Sequence, residues 1–482
     1  MKEDVRTLAR GGGLLLAATL VGNALLLLLD GYVNGVLGLE GYGLYGALKR
    51  VLQLAGFAVA LGMENAVVRF VATARTPEEA DGAVQRAALA TVAASVVAAV
   101  AIAVVLPRLY PAGVEAARVG ALSLPLASIR LVAVSASNGW KDVRPRAVVM
   151  FVAWPIAQLV GVGVLAHALG LGVVGVMWAY VGAMAIGAAL AVAMLLRARP
   201  RVASPAPGSL TALLAFSWPM WVQGMLMAAY TWADQVLLVG IRGPADGGVY
   251  GPVATLAPLF GLGLGALNGQ LAPMIAERHA AGDVAAMERL YRTVARWAVV
   301  FAVPPLAVCV AVPEAVLQLW PNGSAEAATA LRVTCAAQLA CTAVGSVNYM
   351  LIMAGRQRET LINGVPALGL NLALSFALMP RYGVTGAALA NGIAMATANG
   401  VGCWQVWRAL GVHPFDRALL KPILAGVPAA AAATLAIGLP RYLDVVAGAA
   451  LALVTFGVVL RALGLDADDR GVIDAIARKV RR

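Results

Sequence analysis

Apolar runs of about 20 residues recur along the whole of this 482-residue chain. A helix rises 1.5 Å per residue, so each run can cross the ~30 Å hydrocarbon core of a bilayer. In lipid the backbone must satisfy its own hydrogen bonds, which leaves helices or a closed barrel. Barrel strands would read as alternating segments of ~10 residues, a pattern not seen here. An all-α polytopic membrane protein is expected, and the composition agrees: 61% of residues are hydrophobic and 12% charged. Soluble globular classes do not look like this. The first apolar stretch, about 8–36, is too long for a signal-peptide core and lacks a clear cleavage site.

Fourteen transmembrane helices are read at approximately 8–36, 42–63, 83–106, 117–138, 146–168, 172–196, 210–240, 249–271, 293–312, 326–350, 359–379, 384–407, 418–439 and 443–461. Glycine and proline punctuate them. With the N-terminus inside, 27 of the 36 Lys and Arg residues fall on inside segments and 5 on outside ones. That asymmetry predicts a multi-pass protein of the cell (cytoplasmic) membrane with both termini cytoplasmic. The net charge of +12 does not point to nucleic acid, because the basic residues are spread over many short loops. The inside segment 272–292 and the tail from Asp466 to Arg482 read as amphipathic helices for the anionic inner leaflet.

Six charged residues fall inside the apolar runs: Asp30, Lys49, Arg50, Arg130, Asp234 and Arg332. A charge near the bilayer centre costs roughly 3 kcal/mol or more, so such residues usually face a protein cavity. Basic members outnumber acidic ones four to two, which favours an anionic ligand. Arg can hold phosphate in bidentate fashion. Lys49, Arg50, Arg130 and Arg332 are the candidate substrate-binding residues. Lys49 and Arg50 are adjacent and point about 100° apart, and Arg332 near a span end could also snorkel. Asp30 and Asp234 are candidates for coupling to H+ or Na+, or for structural pairing with a basic residue. Cys309, Cys335, Cys341 and Cys403 lie in apolar spans without disulfide or metal-ligand spacing, and His167, His279 and His413 are far apart. No catalytic constellation, metal or cofactor is expected.

The chain echoes itself at an offset of ~205 residues. Asp30 precedes Gly41-Tyr42-Gly43-Leu44-Tyr45, and Asp234 precedes Gly247-Gly248-Val249-Tyr250. Leu171-Gly172-Val173-Val174-Gly175 opens the sixth span, and Tyr382-Gly383-Val384-Thr385-Gly386 opens the twelfth. The expected layout is two six-helix lobes in parallel repeat, 1–196 and 210–410, joined by a cytoplasmic linker at 197–209. Two extra helices (411–465) and a basic tail (466–482) follow. Pro219 and the Pro304-Pro305 pair are the preferred hinge candidates.

Leu37 to Tyr45, followed by Leu61-Gly62-Met63-Glu64-Asn65-Ala66-Val67-Val68-Arg69-Phe70, resembles the start of the polysaccharide-transport (Wzx-like) flippases of the multidrug/oligosaccharidyl-lipid/polysaccharide (MOP) exporter superfamily. Trp232 to Leu238 with Gly248-Val249-Tyr250 is similar to that family's seventh-to-eighth span junction, and Arg381 to Ala390 to its eleventh-to-twelfth. The resemblance implies a transporter, not an enzyme. Its substrate would be an oligosaccharide linked to an isoprenoid phosphate or pyrophosphate, moved from the cytoplasmic to the outer leaflet by alternating access. It further implies V-shaped lobes, a cationic cavity, and two C-terminal helices that receive the lipid tail. Membrane lipids and other glycan-assembly proteins are the candidate partners, and a monomer is expected. The alternatives are a multidrug exporter or lipid II flippase of the same superfamily, or a membrane-bound glycan polymerase.

Overall fold

Lipid offers the backbone no partner but itself, and among the described residues every extended element is a helix. The structure, a computed structural model, describes residues 2–198, 209–439 and 442–464. Most of the expected linker and the whole basic tail lie outside the described residues. Among the described residues, eleven helical stretches are long and apolar enough to span a membrane. Two of these are double: Ala17–Thr73 breaks at Gly38, and Arg358–Leu410 breaks at Gly383. With Arg417–Thr434 they account for the fourteen spans expected.

The first compact unit comprises residues 1–248 and 320–322. It contains α1 (Lys2–Ala60), α2 (Met63–Thr73), α3 (Pro77–Leu109), α4 (Val114–Ala121), α5 (Ser123–Gly139), α6 (Trp154–Gly161), α7 (Gly172–Ala198) and α8 (Leu210–Arg242). Residues 146–168 are helical throughout, with wider π turns on either side of α6. The unit's main core gathers Tyr42, Tyr45, Leu48, Leu52, Leu124 and Met177. Helix α8, which opens the second repeat by sequence, packs with this unit: Ser217 donates to the Leu61 carbonyl (2.7 Å), and the Trp221 indole donates to the Ala58 carbonyl (3.0 Å).

The second unit begins within α9 (Pro244–Leu256). It continues through α10 (Leu262–Ala280), α11 (Val284–Ala311), α12 (Pro313–Leu317), α13 (Ala328–Val344), α14 (Val347–Met353), α15 (Gln357–Leu410), α16 (Arg417–Thr434) and α17 (Leu443–Ala462). Tyr291, Met287, Ile275, Met350 and Val406 are among its core residues. The C-terminal pair attaches through α16, whose cap Asp416 accepts from the Leu419 amide and lies 3.7 Å from Arg296 of α11. The segment 272–292 is not a separate amphipathic helix. It is shared between α10 and α11, with the turn confined to 281–283 around Gly282 at φ 69°. Helical backbone on both sides of that turn runs directly into the long helices, so no separate helix lies between them.

Local backbone geometry repeats where the sequence does. Gly38 and Gly243 take φ 68° and 100° before spans two and eight, and Gly172 and Gly383 take 53° and 52° before spans six and twelve. A side chain is strained in that region, so glycine at these junctions lets the chain reverse into the next span. Helices α3 and α11 also begin and end alike. Thr76 accepts from the Glu79 amide and Asp283 from the Ala286 amide. At the far ends, the Tyr110 and Val312 amides return to Leu106 and Val308, and a proline follows each. Thr76→Ala and Asp283→Ala should each cost about 1 kcal/mol of stability, measurable as a lower melting temperature in detergent.

Candidate functional site

Breaking α1 at Gly38 makes residues 39–60 a span of their own, with Lys49 and Arg50 near its middle. The two side chains diverge, as neighbours on a helix must. The Lys49 ammonium lies over the Tyr45 ring, 5.6 Å from its centroid. Tyr45 is buried, and its hydroxyl accepts from Gln158 Nε2 at 2.9 Å. Arg50 turns the other way and donates through Nε to Gln235 Oε1 on α8 at 3.3 Å. The partners identified for these cations are therefore a ring face and an amide oxygen.

Asp30, half-buried on the first part of α1, accepts from the Tyr42 hydroxyl at 2.5 Å and from the Trp320 indole at 3.0 Å. It also lies within electrostatic reach of Lys49. Trp320 belongs to a three-residue segment that docks on α1. The Asn322 amide donates to Asn34 Oδ1 (2.8 Å), and Asn322 Nδ2 donates to the Asn34 carbonyl (2.7 Å). Beside this segment a cavity of about 370 Å³ is lined by Tyr32, Gly35, His167 and Pro321. Asp234 is buried, and its Oδ1 accepts from the Gln235 amide at 2.7 Å. The two aspartates are alike in sequence position but differ in surroundings.

Arg130 projects from α5 over the Trp154 ring, 5.5 Å from its centroid. Trp154 in turn meets Tyr180 edge-on at 6.4 Å. Arg130 Nε and Nη1 are buried and meet no hydrogen-bond acceptor. Arg332 lies elsewhere, on α13 of the second unit. Its side chain is 46% exposed, 3.7 Å from Glu314, and donates to the Val310 carbonyl. Outside the spans, Arg144 donates to Asp142 at 2.8 Å and holds that carboxyl below its usual range, a surface pairing remote from this chemistry. Among the described residues no group of His, Cys, Asp or Glu could hold a metal ion.

The first unit thus contains Asp30, Lys49, Arg50, Arg130 and Asp234, while Arg332 stands apart with Glu314. Sequence reasoning missed the groups that hold these charges: Tyr42, Tyr45, Gln158, Gln235, Trp154 and Trp320. Tyr42 and Tyr45 were visible as a repeated motif. The others are single polar or aromatic residues in apolar runs, with no pattern to mark them.

A family model described as "Polysaccharide biosynthesis protein" matches residues 8–279, more than half of the chain. No curated protein matches it. Among solved structures, the chain is similar to an inward-facing multidrug resistance MATE family transporter of the MOP superfamily, with 16% identity and a TM-score of 0.67. That match covers 81% of this chain and 94% of the other. Lipid II flippase MurJ in an inward closed conformation matches with 12% identity and a TM-score of 0.72, covering 93% and 99%. A MOP superfamily transporter from Pyrococcus furiosus matches with 16% identity and a TM-score of 0.60, covering 83% and 95%. The folds matched are those of transporters and a flippase, not of enzymes.

Proposed function

We propose, on the premise that the chain belongs to the polysaccharide biosynthesis protein family, that it is a flippase for lipid-linked oligosaccharides. The substrate is a glycan on an isoprenoid phosphate or pyrophosphate, carried from the cytoplasmic to the outer leaflet for surface polysaccharide or glycoprotein glycan assembly. The observation that carries this reading is Arg130, whose buried Nε and Nη1 donors have no protein acceptor. An unmet buried cation is costly, and an anionic head group would meet it. Lys49 and Arg50 in the same unit add to the positive field, which suits a phosphoryl group better than a cationic drug.

Asp30 and Asp234 are the residues assigned to coupling with H+ or Na+, and α16 and α17 to the lipid tail. The chain lies in the cell membrane with both termini cytoplasmic, as its basic residues favour. A strain lacking this protein should accumulate lipid-linked glycan on the cytoplasmic side of that membrane. Normal surface glycan in such a strain, with no redundant gene, sinks the reading. The second reading is a lipid II flippase, favoured by the near-complete coverage of the MurJ structure. It requires instead that the gene be essential and that depletion arrest peptidoglycan synthesis.

A further inference from the structure

Beside Arg130 the unmet polar atoms extend beyond its own guanidinium. Trp154 Nε1 and Gln158 Oε1 are also buried without a hydrogen-bond partner. Trp154 and Gln158 are four residues apart on α6, so they share a face and lie ~6 Å apart along the axis. Trp154 also carries the Arg130 guanidinium over its ring. Three donor atoms and one acceptor therefore lie on Arg130 of α5 and on one face of α6, joined by the contact of Arg130 with the Trp154 ring. Interiors seldom leave such groups unpaired, and a cluster of them marks a place where a polar partner can bind. The π turns flanking α6 add to this, because such irregular turns concentrate at functional sites.

The two kinds of orphan differ in chemistry. Arg130 Nε and Nη1 with the Trp154 Nε1 are all donor atoms, two of the three on a charged group, and suit an oxyanion. Gln158 is different. Its Nε2 is already engaged, donating to the Tyr45 hydroxyl at 2.9 Å. With Nε2 so engaged, Oε1 is the free end. A carbonyl oxygen repels an oxyanion and accepts from a neutral hydroxyl. We infer that Arg130 and Trp154 grip a phosphoryl oxygen while Gln158 accepts from a hydroxyl of the adjoining sugar, so that this site reads the phosphate–sugar junction. The inference rests on the flippase reading above and assigns two residues to it, Trp154 and Gln158.

The test is binding by the full chain in lipid nanodiscs, measured calorimetrically with two probes: farnesyl pyrophosphate, and the same lipid pyrophosphate bearing one N-acetylglucosamine. Wild type should bind the sugar-bearing probe more tightly. Trp154→Phe keeps a ring beneath Arg130 but removes the N–H, and should weaken both probes about tenfold. Arg130→Lys keeps the charge and loses the fork, and should also weaken both. Gln158→Leu should weaken only the sugar-bearing probe and so erase the preference. That ratio is insensitive to the fraction of protein folded, which keeps the test valid if a variant is partly unstable. Wild-type binding of both probes, with Trp154→Phe and Gln158→Leu unchanged, overturns the inference alone and means that water satisfies these atoms. Failure of the wild type to bind either probe overturns the flippase reading beneath it.

Discussion

Arg130→Ala should reduce translocation of the lipid-linked glycan by about 100-fold or more while leaving the protein at least as stable as wild type. The magnitude follows from two charge-assisted hydrogen bonds to a phosphoryl group, each worth roughly 1.5 kcal/mol or more. The stability half of the prediction is the more diagnostic. A buried guanidinium with unmet donors carries a desolvation cost that only a ligand repays. Removing it relieves the empty protein of that cost and loses the contact with the Trp154 ring and the packing of its stem beside Gly187. A structural arginine would behave oppositely, with stability and transport falling together. Arg50→Ala provides the contrast, because Arg50 donates to Gln235 across to α8 and its loss strands that amide. Transport of fluorescently tagged substrate into proteoliposomes, paired with melting temperature in detergent, reads both quantities. Wild-type transport by Arg130→Ala rules out a phosphate-binding role for this arginine.

Much of the architecture was legible because membrane helices are written in long runs. Twenty apolar residues cannot do much else in lipid, so the fourteen spans emerge from spacing alone. The junction glycines were equally visible: Gly172 and Gly383 lie in matching motifs, and both take left-handed backbone. The charges were found for the same reason, since Lys49 or Arg130 stands out against Ala, Val and Leu. Their partners were not legible. Nothing around Trp154 distinguishes it from an aromatic facing lipid, and Gln235 looked like one more residue of the stretch from Trp232 to Leu238. The docking of Trp320 on Asp30 spans 290 positions and depends on a loop with no periodicity. Contacts of this kind are decided by tertiary packing, and a local pattern has no term for them.

The second large effect is expected at Gly43. An added Cβ there would lie 1.9 Å from the Pro244 carbonyl oxygen and 2.5 Å from the Gly248 nitrogen. At Gly248 it would lie 2.0 Å from the Leu39 carbonyl oxygen. The obstructing atoms are backbone in both cases, so no rotamer change relieves the clash and the start of α9 must move off α1. Glycines at both faces of a helix crossing allow this closeness, and van der Waals contact is what holds helices together in lipid. Gly43→Ala should therefore destabilise the protein by about 3 kcal/mol, the upper end of ordinary overpacking. Transport should fall with it, because Tyr42 and Tyr45 flank the same residue and would carry their contacts with Asp30 and Gln158 out of register. Gly56→Ala, with open space around its added methyl, is the matched control on the same helix and should lose nothing. The double variant of Gly43→Ala with Gly248→Ala should cost less than the sum of the two, since a separation forced by either methyl partly accommodates the other. Melting temperatures of wild type and the four variants in one detergent decide it: equal values for Gly43→Ala and Gly56→Ala would show that α1 and α9 do not meet as closely as described.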